Sequence, residues 1–201
     1  MRCRDRRAGR SIWAVALVGL CCSKPGVAQA DAASCEAQMV LASRKYDVPL
    51  GVLYAVGLTE TGRKGSLDAF AMNIDGRPVY PGSLDAALAT YDRAARAGAR
   101  LIDIGCMQIN RKFHGAHFKS VAEMFDPPLN VAYAARFLKE LRAREPSWTL
   151  AVARYHAGPN NNPAQKRYVC AVIANMVASG FGQWTAPARA FCTSQSSAGD
   201  Q

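Results

Sequence analysis

Apolar residues recur at helical spacing through most of the chain, while strict apolar and polar alternation is almost absent. The spacing predicts a helix from about Ser34 to Tyr46 and a second opening at Pro49, whose missing amide hydrogen costs nothing in a first turn. This second helix carries Leu50, Leu53, Tyr54, Val56, Gly57 and Leu58, then Thr59, Glu60 and Thr61, before Gly62 stops it. Being apolar on nearly every side, it reads as the central buried helix. Ser83 stands as the cap of a helix with Leu84, Ala87, Leu88, Tyr91 and Ala95 on one face, ending at Gly98. Asp126 and Pro127 open another, with Val131, Ala134, Ala135, Leu138 and Leu141 as its stripe. Ser147 caps a helix over 148–155. Asn162 and Pro163 open a further one, with Tyr168, Val169, Val172, Ile173 and Met176 inward and Gly180 after its end.

The period breaks in two places. Residues 73–79, Asn-Ile-Asp-Gly-Arg-Pro-Val, read as a tight turn between two short extended pieces, a small hairpin. Residues 101–110 have no helical period and read as an extended turn packed on the core. From Phe181 the chain reads as irregular, and 193–201 is polar enough for a disordered tail. With no internal repeat, the prediction is one mainly helical domain.

Composition supports a packed core, because half of the 201 residues are hydrophobic and a fifth are charged; a disordered or fibrous chain is excluded. Charge and cysteine content must be divided along the chain. Arg2, Arg4, Arg6, Arg7 and Arg10 precede an apolar run, Ile12 to Cys22, and then Ala28-Gln29-Ala30, the order of a secretory signal peptide. As a helix that run spans only about 16 Å, against roughly 30 Å of bilayer core. Arg6-Arg7 leaves twin-arginine export open beside the general route. The expected division is a signal peptide over 1–30, a domain over 31–192 and a tail over 193–201, with a periplasmic destination. Cleavage after Ala30 would reduce the formal charge from +10 to +5 and the cysteines from seven to four.

Cys35, Cys106, Cys170 and Cys192 then form an even set in an oxidising compartment, where one or two disulfides are expected. Three pairings are available, and the expectation is that Cys192 ties the C-terminal tail to Cys170 or Cys35. Taken alone, Cys106 reads as a small buried hydrophobe. The spacing fits no common zinc pattern, so neither a metal nor a cofactor is expected. The remaining bases are scattered and form no nucleic-acid motif, which argues against DNA or RNA as partner. No apolar run beyond Ala30 is long enough for a membrane span.

Glu60 is the unusual residue, an acid at the end of the most apolar helix. Burial and the negative end of the helix dipole both favour its protonated form, which suits a general acid. The position also suits a solvated helix-end acid paired with Arg63 or Lys64.

Five blocks give this acid a context. Leu58-Thr59-Glu60-Thr61, Asp103-Ile104-Gly105-Cys106-Met107-Gln108-Ile109-Asn110, the run from Asn130 to Leu138, Ala153-Arg154-Tyr155-His156-Ala157-Gly158 and Arg167-Tyr168-Val169 stand in order over 58–169. Together they resemble the soluble lytic transglycosylase family of the goose-lysozyme-like fold, and among its members the small enzymes that accompany secretion, conjugation or pilus machinery. The resemblance implies a mainly α, lysozyme-like single domain with a small β-hairpin and an inserted helix. It implies cleavage of the β-1,4 bond between N-acetylmuramic acid and N-acetylglucosamine in peptidoglycan strands. Glu60 would protonate the glycosidic oxygen and then take a proton from the C6 hydroxyl, closing a 1,6-anhydro ring. Thr61, Met107, Gln108, Tyr155, His156 and Tyr168 would form the substrate site, with the Tyr168 hydroxyl approaching the acid.

Most glycosidases use two carboxylates, and no second acid stands in a comparable block here; an internal nucleophile makes one unnecessary. The chain departs from the family pattern where Thr61 replaces Ser, His156 replaces Asn and Cys106 replaces an aliphatic residue. The 44 residues between Glu60 and Gly105 exceed the compact pattern, so the hairpin and the 83–98 helix read as an insertion that covers the cleft. Two alternatives remain: a lysozyme-type hydrolase on the same fold, and a non-cleaving wall-binding or assembly protein.

Overall fold

The computed structural model describes residues 34–61, 66–157 and 162–193. The expected signal peptide, the stop at Gly62, the candidate partners Arg63 and Lys64, and the tail beyond Thr193 lie outside the described residues. Helix α1 (Cys35–Tyr46) starts where Ser34 accepts a hydrogen bond from the Ala37 amide at 3.1 Å. It ends at Asp47, in the left-handed conformation that satisfies the last turn. Helix α2 (Leu50–Thr61) buries Val52, Leu53, Ala55, Val56, Gly57 and Thr61. It packs between α1 and α8 (Asn162–Ala178), as its all-round apolar surface requires.

A four-stranded antiparallel sheet forms the other lobe, in the order β2-β1-β3-β4. Strands β1 (Met72–Ile74) and β2 (Arg77–Val79) are the expected hairpin. Asp75 and Gly76, at φ 48° and 87°, supply the two left-handed residues that a two-residue hairpin turn needs. The stretch expected as an extended turn instead contributes β3 (Ile102–Ile104) and β4 (Ile109–Asn110). Alternation over three residues sorts the side chains of these strands. Met72, Ile74, Ile102, Ile104 and Ile109 enter the core, and Asn73, Asp103 and Asn110 lie opposite one another in register on the other face.

Helix α3 (Leu84–Arg96) is capped by Ser83 as expected, but Leu84 is exposed and Ala87 is its buried residue. Short helices α4 (Arg111–His114) and α5 (Val121–Phe125), joined by a 3-10 turn over Gly115–His117, follow the sheet. Neither was expected, because four- and five-residue helices show too few turns for a periodic pattern. Helix α6 (Pro127–Arg144) buries Val131, Ala134, Ala135 and Leu138, and α7 (Trp148–Ala157) packs between it and α8. The region after Phe181, expected to be irregular, holds α9 (Ala186–Thr193).

Two disulfides close the fold, Cys35–Cys106 and Cys170–Cys192. The second is one of the two ties expected for Cys192 and pins α9 to α8. The first corrects the reading of Cys106 as a plain buried hydrophobe. It anchors the turn between β3 and β4 to α1.

Candidate active site

Glu60 sits in the last turn of α2, next to the buried Thr61. Its side chain is 15% exposed and opens onto a cleft of about 640 Å³. The Tyr168 hydroxyl, buried on α8, donates to Glu60 Oε1 at 2.6 Å. Burial, then the negative charge of Glu60, push the Tyr168 phenol well above its usual range, so it stays a donor. The His156 ring stacks on Tyr168 with centroids 4.1 Å apart and planes at 4°. His156 Nδ1 lies 3.8 Å from the same Glu60 oxygen. One carboxylate oxygen is therefore held between a fixed phenol and an imidazole that is 42% exposed.

The sheet makes the facing wall, with Asn73, Asp103 and Asn110 lining the cleft. Asn110 Nδ2 donates to Asp103 Oδ1 at 2.6 Å. Burial raises Asp103 above the ordinary carboxylate range; the Asn110 bond opposes this, and the charge of Glu60 adds to it. Two acids in one cleft thus have different surroundings.

The turn joining β3 to β4 carries the third part of the site. Gly105 has φ 78°, and a Cβ there would stand 2.6 Å from Asn130 Nδ2 and 2.7 Å from the Met124 carbonyl, so only glycine fits. Asn130, fully buried on α6, accepts from the Met107 amide at 2.9 Å. It donates to the carbonyls of Ile104 at 2.9 Å and Met124 at 2.7 Å. Held this way, the turn points Gln108 at the cleft, in a left-handed conformation of φ 45°. Both donors of the Gln108 amide go to backbone carbonyls, of Ala71 and Gly105, each at 3.0 Å. Its carbonyl oxygen is the group it can offer a ligand.

A family model described as the transglycosylase SLT domain matches residues 41–175. The chain belongs to this family. Peptidoglycan is the substrate of SLT domains, and lytic transglycosylation is their general activity. Searches among curated proteins and among solved structures return no match.

Within the SLT domain, the expected site residues divide into two groups. Glu60, Gln108, Tyr155 and His156 line the cleft together. Tyr168 lies behind them and reaches the cleft through Glu60. Met107 and Thr61 are placed elsewhere than expected. The Met107 side chain is fully buried in the core, and its carbonyl accepts the Tyr155 hydroxyl at 2.8 Å. Thr61 is 2% exposed, and its hydroxyl is spent on the carbonyls of Gly57 and Cys106. Both therefore hold the cleft's frame rather than its surface.

The 83–98 helix also differs from the expected cover: the inserted segment puts Asn73 and Leu101 on the cleft, and no side chain of α3. Sequence reasoning missed Asp103, Asn110 and Phe113 as lining residues. The signal for Asp103 was present as one polar residue between Ile102 and Ile104.

Proposed function

We propose that this SLT domain cleaves the β-1,4 bond between N-acetylmuramic acid and N-acetylglucosamine and closes a 1,6-anhydro ring on the muramoyl product. The observation that carries the reading is Glu60 at the end of a buried helix, facing an open cleft with its carboxyl oxygen bonded to Tyr168. As acid, Glu60 gives its proton to the glycosidic oxygen while the C1–O bond breaks. As carboxylate, it then takes the proton of the C6 hydroxyl as that oxygen bonds to C1, which returns Glu60 to the protonated form. The Gln108 carbonyl oxygen supports this by accepting from a sugar amide or hydroxyl, and Tyr168 by orienting the carboxyl group.

A specific observation favours a second reading, hydrolysis. Asp103 supplies the second carboxylate that glycosidases use to direct water or stabilise the developing cation. Mass spectrometry of digested sacculi separates the two: anhydro-muramoyl ends support ring closure, and reducing ends alone would overturn it. Glu60→Gln should abolish release of both products. Lysis unchanged by that substitution would remove Glu60 from the chemistry, and binding without cleavage by the wild type would leave a wall-binding protein.

The motif likeness to small enzymes of secretion, conjugation and pilus systems leads us to place the activity in opening the wall for such an apparatus. Residues 1–30 would export the chain to the periplasm, and no helix among the described residues is long and apolar enough to cross a membrane. A charge of +5 over 31–201 suits attraction to an anionic wall polymer, weakened by salt.

A further inference from the structure

A second cavity of about 390 Å³ adjoins the cleft, and three residues, Phe113, His114 and Phe137, line both. A ligand lying along the cleft can therefore send a branch over these rings without leaving the protein. The cavity's floor is the Tyr133 ring, packed against His114, Phe118 and Phe137 at centroid separations of 5.6, 5.1 and 6.4 Å. His114 Nδ1 and the Tyr133 hydroxyl share a hydrogen bond of 2.7 Å. Burial, with the nearby His117, pushes His114 below its usual value, so the inner end is neutral.

The outer edge is charged. Arg136 is exposed on α6, with its guanidinium over the Tyr133 ring at 5.9 Å and no carboxylate partner among the described residues. Glu140 follows one helical turn later and also lines the cavity.

We infer that this cavity holds the short peptide branch carried by the glycan strand, with Arg136 taking a carboxylate of that branch. The inference rests on the peptidoglycan reading of the cleft. The repeating sugars offer hydroxyl and acetamido groups, which need no cation, whereas the peptide branch carries free carboxylates and, in many walls, a side-chain amine. An exposed guanidinium with an acid one turn away matches that pair of charges, and Arg is the side chain whose planar fork fits a carboxylate. The aromatic floor fits the aliphatic part of the branch, and the shared rings put the branch point at the cleft.

The test compares soluble, uncross-linked glycan strands that carry their peptides with the same strands stripped of peptides by an amidase. Wild-type protein should cleave the peptide-bearing strands with about tenfold higher kcat/KM, the value of one charge-assisted hydrogen bond. Arg136→Ala should reduce that ratio to about one, and Arg136→Lys should restore part of it. The same ratio is read without cleavage by isothermal titration of Glu60→Gln with the two sets of strands. Equal binding to both, or a ratio that Arg136→Ala leaves unchanged, overturns the proposal and leaves the cavity as a further sugar subsite. Failure of the catalytic reading looks different: neither preparation is cleaved, while the binding preference persists.

Discussion

Asn130 offers the sharpest test of how the fold builds the site. Its side chain is fully buried and makes three hydrogen bonds, one accepted from the Met107 amide and two donated to the carbonyls of Ile104 and Met124. Asn130→Ala removes all three and leaves those groups facing the space of the lost amide. At about 1 kcal/mol net for each bond, and more where a group is left without a partner, the cost is about 3–5 kcal/mol. That is a large share of the roughly 5–15 kcal/mol that holds a domain folded. Urea unfolding followed by circular dichroism, with disulfides intact, should show the midpoint falling at an unchanged slope. Asn130→Asp sharpens the argument because it keeps the shape and the acceptor for Met107. It turns a carboxylate oxygen toward two carbonyl oxygens at 2.9 and 2.7 Å. It should be at least as destabilising at neutral pH, and should recover in acid, where a protonated carboxyl can donate to one carbonyl. A loss below about 1 kcal/mol for Asn130→Ala would refute the view that this amide clamps the turn bearing Gln108.

Tyr168→Phe should lower kcat about tenfold or more with little change in KM or stability, since it deletes a 2.6 Å bond to a carboxylate; an unchanged kcat would count against an orienting role. Asp103→Asn should raise stability at neutral pH, and it should slow release of reducing ends but not of anhydro ends, since only hydrolysis uses a second carboxylate. The native carboxyl is raised by burial, so the folded state binds the proton more tightly than the unfolded chain. Stability therefore falls as pH rises from the ordinary value near 3.8 to the raised one. In urea titrations the advantage of Asp103→Asn should accordingly be greatest above that window and fade below it. Replacing Cys35 and Cys106 by Ser should cost about 4 kcal/mol, and replacing Cys170 and Cys192 about 3 kcal/mol, from closed loops of 71 and 22 residues. Thermal melts check the order, and the first pair should also reduce activity because Cys106 adjoins the turn that presents Gln108.

The long helices were legible because each repeats its pattern over two or more turns and carries its own start signal, as Ser34, Ser83 and Pro127 show. The sheet was half legible. Asp75-Gly76 announced one hairpin through the backbone conformation it needs, but Ile102-Asp103-Ile104 alternates for only three residues, and its pairing with β1 crosses an inserted helix. Non-local pairing leaves no mark in a local window. The same holds for Cys35–Cys106, whose half-cystines are 71 residues apart.

The site shows the limit in a different way. Glu60 was legible because a charge on an apolar helix needs a reason, and motif order supplied the rest. Met107 and Gln108 are neighbours in one block, yet the turn sends the first into the core and the second to the cleft. Gln108 is itself the left-handed residue, at φ 45°, so its side chain leaves in a different direction from that of Met107, and no linear motif separates them. Asp103 shows why this matters for chemistry. Along the sequence, Asp103 opens a motif block but nothing there marks it as a partner of Glu60, and the family resemblance implies an internal nucleophile instead. Folded, the strand carrying Asp103 makes the cleft wall beside Asn73 and Asn110. The number of carboxylates lining a cleft is thus a property of sheet register, and here that register is the observation that sets hydrolysis beside ring closure as the second proposed reading.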